Sequence, residues 1–517
     1  MGIPSYYKKL LDTLPTLIQR SHPDVTVQWL FMDFNCLIYH CLPHAPVYPG
    51  DSQKDEWESQ FIACIVEYCL KVIHKVSPQH GVYLAIDGVV PMAKMRQQRL
   101  RRFKSVWLTQ HPEDPSLPVG PKWDTNAITP GTVFMKKLHD GLEAMIQKKG
   151  KGIWILSSSD EPGEGEHKLM NAWRTGSYGG NFAVYGLDAD LIVLSLLGQE
   201  MCSLDNKIWL FREEIDKGKI AYDKEGEEQF EWFSIHALRD WLVGSSDRRQ
   251  TIMNYCFAMS VLGNDFLPSS LGLKIRDDGH GELLSFIQTL QLPLIYSNTM
   301  EISQEGLQFL FTHFTKSESH RIEKSISKKQ MFARNLGVHD LPLGHSNWPL
   351  LHMEEDSLLE NGSRHLCSTW KQKYLTQFFS GHSQSAIVKE YLYGIQWIWA
   401  YYTGRMDQIC FNWYYPYSLP PLWEWVRDAV IQGDLPEFPE KIWVRATDIR
   451  PVEQLALVLP LESWSLIPPC KERSFPAMAP QFYPRVFGFE SVGKRFFWEC
   501  ETQLPLPSIR ELKAVMI

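Results

Sequence analysis

The sequence predicts an α/β fold: a mainly parallel, twisted sheet flanked by helices, with a helical, aromatic-rich second region packed against it. Three observations lead there. Four short apolar, β-branched or aromatic runs in the first half of the chain each stop at acidic residues. Helix-like stretches separate them, and strands alternating with helices favour a parallel sheet covered on both faces. At 517 residues the chain also exceeds one ordinary core, so more than one packed unit is expected.

Taken in order, VQWLFMDFN (27 to 35) is the first strand-like run, followed by the helical pattern WESQFIACIVEYCLKVIHKV (57 to 76). VYLAIDG (82 to 88) is the second strand, and it leads into a basic helix that begins near Pro91. In TPGTVFMKKLHDGLEAMIQKK (129 to 149), Thr129 and Pro130 read as the N-cap and first position of a helix. The runs IWILSSSDEPGEGE (153 to 166) and FAVYGLDAD (182 to 190) complete the set. These elements define a first region, 1–275. A helical, partly loop-like connection with charged tracts is expected over 276–385, and an aromatic and proline-rich region over 386–517. No fixed-period repeat is present.

Composition narrows the classes of function. A formal net charge of -8 excludes a general affinity for polyanions, so any contact with nucleic acid must use a local basic patch. The ten cysteines form no C-x-x-C pair, which fits a reducing compartment. His40, Cys41 and His44 match no common zinc spacing. No apolar run reaches about 18 residues. The start MGIPSYYKKLL has no signal-peptide core and no Ser or Thr at the sixth position of a myristoylation signal. An unanchored, intracellular protein is expected, cytoplasmic with the nucleus as the alternative.

In parallel sheets ligands bind beyond the carboxyl ends of the strands. That is where the runs deliver Asp33, Asp87, Glu164 with Glu166, and Asp188 with Asp190; Asp265 follows later in GNDFLP. Each acid has a plain alternative role as a turn or helix-cap residue. Gly163 and Gly165 argue against a simple cap at Glu164, because they allow close approach of the backbone. Left uncompensated, seven carboxylates at one edge cost several kcal/mol in repulsion and desolvation. Hard divalent cations remove that conflict, which favours Mg²⁺ or Mn²⁺ over zinc or copper. Two such ions about 3.5 to 4 Å apart suit phosphodiester hydrolysis.

Behind Asp87, the residues Lys94, Arg96, Arg99, Arg101, Arg102 and Lys104 crowd six cations into eleven positions. On a helix, Lys94, Gln98 and Arg101 share a face at i, i+4, i+7, with Arg102 adjacent. Arginine forks and an ammonium suit phosphate oxygens, whereas a solvated basic face is the plain alternative.

These segments resemble a known family. MGIPSYYKKL, MDFN, AIDGVVPMAKMRQQRLRRF, EPGEGEHKLM, YGLDADLIVLSLL, GNDFLP, YGIQWIWAYYTG, NWYYPY, LVLPLES and FYPRVF are strongly similar, in order, to the 5′-to-3′ exoribonucleases of the Xrn type. The resemblance implies a PIN/flap-nuclease-like core in which Asp33, Asp87, Glu164, Glu166, Asp188, Asp190 and Asp265 hold two Mg²⁺ ions, with Mn²⁺ as a substitute. It implies that Lys94, Gln98, Arg101 and Arg102 bind a 5′-monophosphate. The expected activity is stepwise release of mononucleotides from single-stranded RNA, in company with decapping or RNA-decay partners. The family has a base-stacking His where this chain has Tyr39, with His40 shifted by one. The stacking partner is a tryptophan of the second conserved region, for which Trp413 and Trp397 are candidates. Long C-terminal extensions of cellular members are not matched. Two other readings compete: a structure-specific flap endonuclease, disfavoured because SSLGLKIRDDGHG lacks a helix-hairpin-helix pattern, and a non-catalytic RNA-binding or structural subunit.

Overall fold

The computed structural model describes residues 3, 5–112, 120–149, 152–202, 205–216, 218–433 and 445–515. Met1, Gly2 and Pro4 of the N-terminal motif lie outside the described residues. Strands β1 (Ile18–Gln19), β2 (Val27–Asp33), β3 (Gly81–Ala85), β4 (Ile153–Ser157), β5 (Asn181–Tyr185) and β6 (Ile208–Glu213) lead to a small hairpin, β7 (Ile215–Asp216) and β8 (Lys219–Ile220), and to β9 (Phe230–Ser234). Seven of them form one sheet in the order β1-β9-β6-β5-β2-β3-β4. From β6 to β4 neighbouring strands are parallel, while β9 runs antiparallel to β6, and β1 antiparallel to β9.

The four expected strands are β2 to β5, each shorter than its sequence run because the acidic tail turns out of the sheet. Register aligns their carboxyl ends: Asp33 pairs with Ala85, Ala85 with Ser157, and Met32 with Tyr185. The loops that carry the acids therefore leave from one edge. β6 and β9 were not expected from the sequence; β6 is buried along its whole length and shows no alternation to announce it.

Strand β2 alternates in the way a doubly covered sheet requires. Leu30 and Met32 enter one core with residues of α2 (Phe34–Cys41), α3 (Lys54–Val76) and α5 (Val133–Lys149), among them Phe61, Ile65 and Leu138. Trp29 and Phe31 enter the other, with Met95 of α4 (Met92–Gln110), Leu169 of α6 (Gly165–Thr175) and Leu191 of α7 (Asp190–Met201). Helix α5 starts later than expected. Thr129 and Thr132 donate their hydroxyls to Asn126 and Ala127 carbonyls in a buried turn, so Pro130 stands before the helix instead of at its first position.

The second core does not stop at the sheet. It continues through Leu283, Leu310, Trp397, Trp399 and Leu455 in the helices that follow. The helix Gln384–Thr403 packs on α7, and the helix Pro451–Val458 packs on α4. Among the described residues no helix is long and apolar enough to cross a membrane.

Candidate active site

Asp33 closes β2 and is 4% exposed; its Oδ1 has no hydrogen-bond partner. Asp87 follows β3 and is fixed from two sides. Asn35 Nδ2 donates to its Oδ2 at 2.9 Å, and the Gly165 amide donates to its Oδ1 at 2.7 Å. A side chain at Gly165 would place its Cβ 2.4 Å from Asp33 Oδ1, so glycine is the residue that admits this approach. Gly163, at φ +112°, ties the same loop to the segment that follows β3 through Val89 and Gly88. The EPGEGE glycines thus bring backbone against carboxylates.

Glu164 precedes α6 and Glu166 lies in its first turn, both buried. Asp33, Asp87 and Glu166 each bring an oxygen within 4.8 Å of the others, and Glu164, Glu166 and His167 do the same. Asp190 opens α7 with its Oδ1 unpartnered. Burial pushes its carboxyl up to about 7, helped by Asp188 and Asp265, so these three acids also face one another. Burial drives Asp33 well above the carboxylate range, and Asp87, Asp188 and Asp190 add to it. Glu166 is raised in the same way by burial, then by Glu164 and Asp33. All seven expected acids therefore meet at the carboxyl edge of the sheet.

This donor set fits hard divalent cations. Its ligand atoms are carboxylate oxygens, two of them orphaned in buried positions, and its charge is partly offset by the Lys94 ammonium. Lys94 lies 2.6 Å from Glu164 Oε2 and 2.9 Å from Asp265 Oδ2. For Asp265, burial raises the carboxyl, but Lys94 outweighs it and leaves the group below its ordinary value. Lys168 donates to the carbonyls of Ile86 and Ser158 at 2.7 Å each, locking β3 and β4 ends together.

The basic helix divides its labour. Arg99 is fully buried and donates to the carbonyls of Leu457, Pro505 and Phe482; Lys104 donates to those of Phe497 and Cys500. Arg96 pairs with Glu501 at 3.2 Å. These three cations brace the second region. Gln98 accepts from Gln454 Nε2 at 3.3 Å. Arg101 is exposed, and Arg102 keeps a buried Nη1 without a partner. Burial lowers the Arg102 guanidinium to about 10, with Arg101 acting in the same direction and Tyr39, Asp124 and Asp87 opposing it. A guanidinium with one unpartnered nitrogen thus borders the acid cluster through Asp87.

Of the four aromatic candidates, Tyr39 is 48% exposed and lies beside Arg102. The other three are packed away. His40 binds Glu228, and its ring lies against Tyr68. Trp397 is fully buried with its indole on the Cys410 carbonyl, and Trp413 packs on Trp397 while donating to Glu390 at 3.0 Å. As placed here, His40 and Trp397 offer no ring face to a base, because protein atoms already cover both.

Residue-level reading missed Tyr401. Its hydroxyl donates to Glu164 Oε1 at 2.8 Å across 237 positions of sequence, and its ring lies 3.8 Å from that of His167. The only signal was its place in YGIQWIWAYYTG. Asn35 was equally legible inside MDFN but has no chemistry of its own to mark it.

Comparison with known proteins agrees with this geometry. Residues 1–214 match the model described as XRN 5′-3′ exonuclease N-terminus, and residues 359–515 match the Xrn1 helical domain. The chain belongs to the Xrn-type 5′-to-3′ exoribonuclease family. Among its Xrn-type relatives, "5′-3′ exoribonuclease 1" of Schizosaccharomyces pombe is 26% identical over 98% of this chain and 47% of that protein. The human "5′-3′ exoribonuclease 1" is 25% identical over 100% of this chain and 34% of its own length. "5′-3′ exoribonuclease 2" of Gallus gallus is 24% identical over 100% of this chain and 70% of its own. The chain thus spans less than half the length of the first two. Neither a flap endonuclease nor a non-catalytic subunit is favoured by these matches.

Proposed function

We propose that this chain hydrolyses single-stranded RNA from a 5′-monophosphate end, releasing mononucleotides in the 5′-to-3′ direction. The observation that carries the reading is the juxtaposition of seven acids at one sheet edge with Arg102, whose buried Nη1 lacks a partner and whose charge is felt by Asp87. The names of the relatives and the matched family models support it.

In this reading Asp33, Asp87, Glu164, Glu166, Asp188, Asp190 and Asp265 hold two Mg²⁺ ions, with Mn²⁺ able to substitute. Bound there, such ions supply a hydroxide nucleophile near neutral pH and stabilise the leaving oxygen. Asn35 and the Gly165 amide fix Asp87, while Lys94 and Tyr401 fix Glu164, so the carboxylates are aimed before substrate arrives. Arg101, Arg102 and Gln98, with Lys94 at the inner end, take the terminal phosphate. A pocket sized for one phosphate excludes caps and triphosphates, and each cleavage presents a new 5′-monophosphate. Tyr39 stacks on the first base; with Trp397 enclosed, Trp413 is the remaining tryptophan of the pair considered. Residues 1–275 carry the acids and 386–517 brace them through Tyr401 and Gln454. Ten free cysteines suit a reducing, cytoplasmic setting for RNA decay.

The test offers RNAs bearing monophosphate, triphosphate, cap or hydroxyl at the 5′ end, and a flap DNA, with Mg²⁺ or chelator. Metal-dependent release of mononucleotides from the monophosphate alone, abolished by Asp188→Ala, is expected. Equal cleavage of all four ends, or cutting of the flap, would overturn the reading.

A further inference from the structure

We propose that His40, His44 and Glu228 form a zinc site separate from the acid cluster. His40 lies in the last turn of α2, His44 ends the single turn Leu42–His44, and Glu228 stands two residues before β9. Glu228 Oε1 stands 3.0 Å from His40 Nε2 and 3.3 Å from His44 Nε2. One donor atom from each residue lies within 4.8 Å of the other two. Tetrahedral zinc with bonds of about 2.0 to 2.1 Å sets its donors about 3.3 Å apart, so the two spacings to Glu228 are already those of a ligand set. Two imidazoles and one carboxylate are a recognised zinc donor set that leaves a fourth position for water. The His44 side chain is 40% exposed, which gives that position an open side.

The surroundings suit the ion. Lys71 Nζ is 3.3 Å from Glu228 Oε2, which holds the carboxylate and leaves Oε1 to the metal. Tyr68 packs on His40 with ring centroids 4.4 Å apart and donates to Glu213 at 2.7 Å. Cys41, which falls between the histidines in sequence, is turned to Cys64. The third ligand comes from a residue 188 positions away from His40, which is why no zinc spacing is visible in the sequence.

The experiment uses the full chain, stripped with chelator and returned to excess Mg²⁺ so that the acid cluster is occupied. Zinc binding is measured by calorimetry and elemental analysis, and Co²⁺ is substituted to read tetrahedral coordination from its visible bands. Wild type and Asp33→Asn should each take one zinc, with affinity falling about tenfold or more in His44→Gln and in Glu228→Gln, and the cobalt bands vanishing in both. Circular dichroism establishes that the variants fold, and His44→Ala repeats the measurement at the exposed ligand. Unchanged zinc binding in the His44 variants, absence of binding in wild type, or loss only in Asp33→Asn would overturn the site.

Discussion

On the proposed reading, replacing Tyr401 with Phe should weaken divalent-ion binding at the acid cluster without disturbing the fold. The hydroxyl lies 2.8 Å from Glu164 Oε1, and Lys94 holds the other oxygen of the same carboxylate at 2.6 Å. A hydrogen bond to a charged group contributes about 1.5 to 3 kcal/mol. At about 1.4 kcal/mol per decade, losing it raises the half-saturating Mg²⁺ concentration about ten- to a hundredfold. The ring remains, so its contacts with His167 and Trp397 persist and the chain still folds, with the melting temperature lowered by only a few degrees. The assay is the initial rate on 5′-monophosphorylated RNA as a function of free Mg²⁺, with melting followed in parallel. A wild-type Mg²⁺ curve for Tyr401→Phe would refute the reasoning. A lower plateau at unchanged half-saturation would do so too, because it would place the hydroxyl on the substrate instead of on Glu164.

Arg101→Ala should reduce the rate ratio between monophosphate and hydroxyl RNA ends about tenfold while leaving stability unchanged, since Arg101 is exposed. Rates on the two ends and a thermal melt check it. Arg99→Ala should do the reverse: three carbonyls lose their donor, and chemical denaturation should show a loss of about 3 to 5 kcal/mol. In chelated protein, stability should fall as pH rises from about 4 to about 7. Asp190 is raised to about 7 in the fold from 3.8, so the native state binds more protons across that window and loses the advantage as the pH climbs. Denaturation midpoints measured across the window, with and without Mg²⁺ at the upper end, test this; a midpoint that rises with pH in chelator would contradict it.

The sequence by itself determined the central strands and the edge at which chemistry gathers. Apolar, β-branched and aromatic runs are local, and a parallel sheet with aligned ends turns four acid-terminated runs such as VQWLFMD and VYLAID into one cluster. Strand β6 escaped notice because a strand buried along its whole length loses the alternation that marks it. Tertiary structure alone decided what each charge does. Six cations on α4 look alike in sequence, yet Arg99 and Lys104 meet backbone carbonyls, Lys94 meets two acids, and Arg102 meets no partner for its Nη1. Tyr401 reaches Glu164 across 237 positions of sequence, and Trp397 is closed off from any base by Phe266 of a distant segment as well as by nearby Cys410 and Trp413. Burial and partnership at that separation depend on how whole layers pack, and no local pattern of residues encodes them.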